Sequence, residues 1–219
     1  IASYDQAVKF KPDFHQAWYN RSFALFNLGR NEEAIASYDQ ALKFQPDDHK
    51  AWNNRGTVLR NLGRKEEAIA SYDQAVKFKP DDHKAWKNRG NALSDLGRNE
   101  EAISSYDQAV KFQPDDHEAW YYRGIALSDL GRKEEAIASY DQAVKFKPDF
   151  HQAWYYRGIA LLKLGRWIEA IESINKAVEI NPDFVNTLFD MRRKQILDSL
   201  LQKLIRIWRS FLRLIQFKF

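Results

Sequence analysis

Tryptophan recurs every 34 residues in this 219-residue chain, at Trp18, Trp52, Trp86, Trp120 and Trp154. Nearly everything around these residues recurs with them. Segments 15–48, 49–82, 83–116, 117–150 and 151–184 align without a gap. A period of this size means one small unit stacked on copies of itself. Such an array offers a long surface more naturally than a closed reaction pocket.

Segment 49–82 illustrates the unit. Pro46 ends the preceding helix, and Asp47 or Asp48 is placed to cap the next one by accepting from its free backbone N–H groups. Ala51, Trp52, Arg55, Gly56, Val58, Leu59 and Leu62 follow at three- and four-residue intervals, the pattern of a helix with one buried stripe. Gly63 stops that helix, because glycine takes the left-handed conformation without strain. Glu66 and Glu67 open a second helix near its positive dipole end. The second stripe is Ala68, Ile69, Tyr72, Ala75, Val76 and Phe78, closed by Pro80. Each unit is therefore a helix hairpin. Gly56 and Ala68 let its two helices approach, Trp52 and Tyr72 fill the space around that contact, and Ala75 admits the next hairpin.

The set Trp52, Gly56, Leu59, Gly63, Ala68, Tyr72, Ala75 and Pro80 resembles the tetratricopeptide repeat. The resemblance covers residues 1–184. It departs where Ser22 replaces the first glycine, and where Arg21, Arg55, Arg89, Arg123 and Arg157 occupy a usually aliphatic position. It implies an all-α, right-handed superhelical solenoid whose first helices line a concave peptide-binding groove. Three segments follow: 1–14, the second helix of a truncated repeat; 15–184, five repeats; and 185–219, a basic amphipathic segment. Residues 1–14 match 35–48, so the chain is expected to begin inside a repeat of a longer protein.

The formal charge of +4 is unevenly distributed. Residues 1–184 hold 26 Lys and Arg against 28 Asp and Glu, whereas residues 185–219 hold 8 against 2. A nearly neutral body argues against a nucleic-acid scaffold held by phosphate contacts. Cysteine is absent, which fits a reducing, cytoplasmic setting. No phosphate loop, zinc motif or catalytic triad is present, so neither an enzyme activity nor a cofactor is expected. His15, His49, His83, His117 and His151 share one repeat position. Successive copies stand a hairpin apart, roughly 10 Å per helix crossed, whereas a metal–nitrogen bond is about 2 Å. They read as structural. The recurring arginines read as partners of Asp39, Asp73, Asp107 and Asp141 or of helix ends, with packed stems.

Function is best sought where the copies disagree. The groove positions implied by the resemblance run Tyr19, Asn53, Lys87, Tyr121, Tyr155, then Asn20, Asn54, Asn88, Tyr122, Tyr156, then Phe23, Thr57, Asn91, Ile125, Ile159. The row Asn20–Asn54–Asn88 offers donors and acceptors to an extended peptide backbone, and the four tyrosines offer rigid contact area. Lys87 and Asn91 match the start of the clamp with which some family members hold a chaperone's C-terminal carboxylate. Tyr122, Gln152 and Tyr156 break the rest of it, so chaperone-tail binding is not expected. A non-enzymatic scaffold for a protein or peptide partner is the reading that follows.

Beyond Val185 the repeat decays: Arg192 replaces the packing glycine, Ser199 the turn glycine and Leu204 the small alanine. Leu197, Leu201, Leu204, Trp208, Phe211 and Ile215 nonetheless keep four-three spacing opposite Lys203, Arg206, Arg209 and Arg213. Three roles are open for this stripe: a cap on the last hairpin, a seam for homo-oligomer formation together with the open half repeat, or peripheral membrane contact. No run reaches the ~20 apolar residues of a spanning helix.

Overall fold

The computed structural model describes residues 1–184. The stripe from Leu197 to Ile215, and with it the choice among cap, seam and membrane contact, lies outside the described residues. Helix α1 (Ala2–Phe10) precedes five hairpins. These pair α2 (His15–Asn27) with α3 (Asn31–Phe44), α4 (His49–Asn61) with α5 (Lys65–Phe78), and α6 (His83–Ser94) with α7 (Asn99–Phe112). They continue with α8 (His117–Asp129) and α9 (Lys133–Phe146), then α10 (His151–Lys163) and α11 (Trp167–Ile180). Every helix packs on its neighbours in sequence, which makes an all-α solenoid.

Local chemistry explains the boundaries. Asp48, rather than Asp47, caps α4, accepting from the backbone N–H of Lys50 and Ala51; Asp116 caps α8 in the same way, and Asp82 caps α6 by accepting from Ala85 alone. Phe14 and Phe150 stand at the equivalent positions and supply no cap. Gly63 turns the chain at φ +78°. Its N–H donates to the Arg60 carbonyl and the Arg64 N–H to that of Leu59, the bond pair of a Schellman stop. The Arg64 guanidinium then grips Glu67 at 2.7 Å through two nitrogens, closing the first turn of α5.

Within a hairpin, Tyr72, Tyr106 and Tyr140 lie buried against Gly56, Gly90 and Gly124. A Cβ on Gly90 would sit 2.6 Å from the Tyr106 ring. The first hairpin instead pairs Ser22 with Tyr38, both fully buried, and the last pairs Gly158 with Ile174. Trp52, half-buried, packs on the main core as expected and also reaches the seam: with Trp86 it flanks the buried group Ala75, Val76 and Ala85, and its indole N–H donates to the Pro46 carbonyl at 2.8 Å. One expectation needs correction. Phe78 is 40% exposed, because the stripe has run past the partner helix by that turn. The Lys77 ammonium lies 5.9 Å from its ring centroid instead.

The repeated arginines pair as expected and do one thing more. Arg89 Nε donates to Asp73 at 2.6 Å in the preceding hairpin, while another guanidinium nitrogen donates to Ser105 Oγ at 2.7 Å in its own. One side chain on α6 thus ties α5 to α7, and Arg21, Arg55, Arg123 and Arg157 repeat the arrangement.

The buried tyrosine hydroxyls differ from one hairpin to the next. Tyr106 donates to Asn91 Oδ1 at 2.8 Å and Tyr72 to Thr57 Oγ1 at 3.3 Å. Ile125 occupies that position opposite Tyr140, whose hydroxyl is buried without a partner. Burial holds the Tyr72 pKa up at about 12.

Two predictions follow from this packing. Gly90→Ala should lower stability by about 1–2 kcal/mol, because the clash with Tyr106 outweighs the ~1 kcal/mol of helix propensity that alanine brings. A raised midpoint in urea unfolding would refute this. Tyr106→Phe should cost about 1 kcal/mol, whereas Tyr140→Phe should be neutral or stabilising, since only the former breaks a hydrogen bond. Equal losses in thermal unfolding would contradict the assignment.

Candidate functional site

The first helices of adjacent hairpins touch, α2 with α4, α4 with α6, α6 with α8 and α8 with α10. No such contact joins the second helices. The array therefore bends toward its first helices, and these line its inner side.

Along this inner wall the variable residues bond from one hairpin to the next. Asn54 Nδ2 donates to the Tyr19 hydroxyl at 2.9 Å, and Asn88 Nδ2 donates to Asn53 Oδ1 at 3.0 Å. Asn20 Oδ1 accepts from Gln16 at 3.1 Å. The asparagine row is thus partly committed to the array itself, and only the remaining donors and acceptors of each amide are left for a ligand. Farther along, rings replace amides: Tyr121 lies edge-on to Tyr156 at 5.8 Å and also touches Phe150. Burial, with Tyr156 and Tyr122 adding to it, pushes the Tyr121 pKa above its ordinary value. Burial and the neighbouring Asp48 do the same to Tyr19, against a lowering hydrogen bond from Asn54.

Several expected groove residues are otherwise engaged. Tyr155 is only 4% exposed, because Phe184 lies edge-on to its ring at 5.2 Å and Tyr156 covers another side; it belongs to the core. Lys87 turns away to bind Asp116 at 2.9 Å and Glu118 at 2.8 Å. Burial pulls its pKa down, but the two carboxylates outweigh burial and leave it raised. Thr57 and Asn91 are partners of the buried tyrosines. Phe23 and Tyr122 remain exposed, Asn53, Ile125 and Tyr156 half-buried, and Ile159 buried at the floor.

Two clefts mark the wall. The first, of 360 Å³, is lined by Tyr19, His49, Asn53, Asn54, Asp82 and His83, with Lys50, Lys79, Lys84 and Asp81 completing it. His49 bonds Asp82 at 2.8 Å, as His15 bonds Asp48, so these histidines bridge consecutive hairpins. Lys50, Lys79 and Lys84 appear in no ion pair within the array, and against Asp81 and Asp82 they leave this cleft with a small excess of positive charge. The second cleft, of 140 Å³, has Ile125, Tyr140, Tyr156 and Ile159 as walls and Ser128, Asp129 and Lys163 at its edge. The lysines of the first cleft escaped the sequence reading. Their signal was present: one position reads Gln16, Lys50, Lys84, Glu118 and Gln152 across the repeats, and another Gln45, Lys79, Gln113 and Lys147.

Among the described residues there is no cluster of three or more His, Asp or Glu side chains placed to hold a metal. No helix there is long and apolar enough to cross a membrane.

Comparison with other proteins agrees with this architecture. No curated protein sequence matches the chain. The crystal structure of YrrB, described as a TPR protein with an unusual peptide-binding site, superposes with a TM-score of 0.72 at 22% identity, covering 86% of this chain and 97% of that one. A crystal structure of MamA gives 0.71 at 23% identity, covering 75% and 96%. MamA from Desulfovibrio magneticus RS-1 gives 0.72 at 22%, covering 77% and 96%. At these identities the likeness is one of fold. The sequence profile of the tetratricopeptide repeat matches residues 1–49, 24–83, 87–149 and 126–183. With a match over nearly all the described residues, the chain belongs to the tetratricopeptide repeat family, a helical-repeat scaffold for binding proteins.

Proposed function

We propose that the inner wall binds an extended segment of a partner protein without chemical conversion. One observation carries this reading: in units copied almost residue for residue, the differences gather on the first helices, and both inner-wall clefts are lined largely by the residues that differ. Selection or drift that acted on stability alone would spread changes over the outward faces as well.

The two halves of the wall suit different parts of one ligand. Toward α4 and α6, the spare amide groups of Asn53, Asn54 and Asn88 suit a peptide backbone, and the cationic cleft suits acidic side chains. Toward α8 and α10, Tyr122, Ile125 and Tyr156 suit an apolar anchor, since rigid aromatic surface binds at little entropic cost. The bound segment would be an extended peptide, acidic at one end and apolar at the other.

The test begins with peptides selected from a random library against the unmodified chain. Tyr122→Ala and Asn53→Ala combined should weaken the best of them by about tenfold or more, with helicity unchanged by circular dichroism. Lys77→Ala, on an outward helix, should leave affinity unchanged. If the inner-wall variant titrates like the outward control, the proposal fails.

A further inference from the structure

The fourth hairpin leaves a buried polar group unanswered beside a cleft. In the second and third hairpins the core tyrosine hydroxyl meets a side chain of its own first helix, Thr57 for Tyr72 and Asn91 for Tyr106. Tyr140 is fully buried, and with Ile125 in that place its hydroxyl has no hydrogen-bond partner. The same Tyr140 lines the 140 Å³ cleft between α8 and α10. Burial, with Tyr121, Tyr156 and Asp129 adding to it, holds its pKa well above the ordinary value, so at neutral pH the group is a donor. A ligand that accepts from it recovers the cost of a hydroxyl buried unpaired.

A second group at this cleft is also unanswered. Asp95, just past the end of α6, pairs with Arg60 of the preceding hairpin at 2.6 Å. Its equivalent Asp129 ends α8, where the residue matching Arg60 is Ser94, and Asp129 makes no ion pair among the described residues. The backbone carbonyls at a helix C-terminus make that an unfavourable place for a lone carboxylate. Around these two groups the walls are apolar. They are Ile125, Ile159 and the half-buried ring of Tyr156, whose centre lies 6.4 Å from that of Tyr140.

We propose that this cleft takes the phenol side chain of a tyrosine in the bound segment, which accepts from the Tyr140 hydroxyl and donates to the Asp129 carboxylate. The proposal deepens the inner-wall reading and rests on it for the source of the tyrosine. Size fits: 140 Å³ is close to the ~150 Å³ that holds one benzene. Chemistry narrows the choice further. Lysine and arginine have nothing with which to accept from Tyr140, and a carboxylate would face Asp129 with like charge. Asparagine and serine bring no ring to fill the apolar walls, and phenylalanine fills them but leaves both polar groups unpaired. A phenol donates and accepts on a ring of the right size. Entry requires Tyr156 to rotate outward, since the Tyr140 hydroxyl is closed off in the free array. A site built to bond a ligand hydroxyl discriminates against the analogue that lacks it.

The test titrates N-acetyl-tyrosinamide and N-acetyl-phenylalaninamide into the full chain, with backbone amides followed by NMR. The tyrosine probe should shift the amides of Ser128, Asp129 and Ile159 and bind about fivefold or more tightly than the phenylalanine probe. Two variants should each remove that preference with the fold intact. Tyr140→Phe deletes the donor, and Ile125→Asn gives the hydroxyl the partner that Asn91 gives Tyr106. Equal affinities for the two probes, a preference that survives either variant, or shifts confined to other helices overturn the proposal. Failure of the groove reading looks different. Library-selected peptides that bind the inner wall, beside probes that bind alike, sink the phenol assignment alone. A phenol preference at the cleft with no library peptide captured sinks the groove reading and makes the ligand a free phenol.

Discussion

A tyrosine ring seated on bare glycine backbone is the contact from which the rest of this array is built. It fixes how closely the two helices of a hairpin approach, and burial of Tyr72, Tyr106 and Tyr140 leaves no slack for a different crossing. Between hairpins the spacing is set by other means. Tryptophans sandwich small alanines, and an arginine on each first helix reaches the aspartate behind it and the serine beside it. Because both devices recur at every step, the offset between hairpins is constant, and a constant offset is what turns five separate helices into one wall.

The same frame dictates where variation is affordable. Outward faces carry solvated charge and the arginine–glutamate turns; the seams carry alanine, glycine and tyrosine at nearly fixed identities. Solvated side chains on the outward faces could change at no greater cost, yet most of the differences gather on the inner faces of the first helices. Even there freedom is limited. Thr57 and Asn91 answer buried tyrosine hydroxyls, and Lys87 answers the carboxylates of Asp116 and Glu118. Repeat 4 gives up that polar partner for Ile125 and leaves the Tyr140 hydroxyl buried without one. In exchange the wall gains an apolar cleft beside Tyr156.

Much of this was legible in the residues. A 34-residue period with glycine at the turn and small residues at the crossing leaves one fold, and the arginine–aspartate pairs follow from it. The errors share a cause: spacing along one helix tells which side chains share a face, not what the next hairpin brings against that face. Trp52 shares a stripe with the hairpin core and also reaches the seam, where Ala75 and Val76 of its own unit meet Ala85 of the following one. Phe78 shares a stripe that has already run past its partner helix. Tyr155 aligns with groove residues and is buried, because Phe184 covers it as Phe150 covers Tyr121 one repeat earlier. Such a contact, between the first helix of one unit and the last residue of that unit, is not revealed by spacing along the helix. The asparagine row was visible, but the bonds joining Asn54 to Tyr19 and Asn88 to Asn53 span 35 residues and needed the curvature of the array to appear.

The inner wall is most directly tested by a crystal structure of the chain with a bound library-selected peptide. The account requires the peptide to run along α4, α6, α8 and α10, with side chains in the clefts beside Asn53 and Tyr156. A peptide seated instead on the outward faces of α5, α7 and α9 would contradict it.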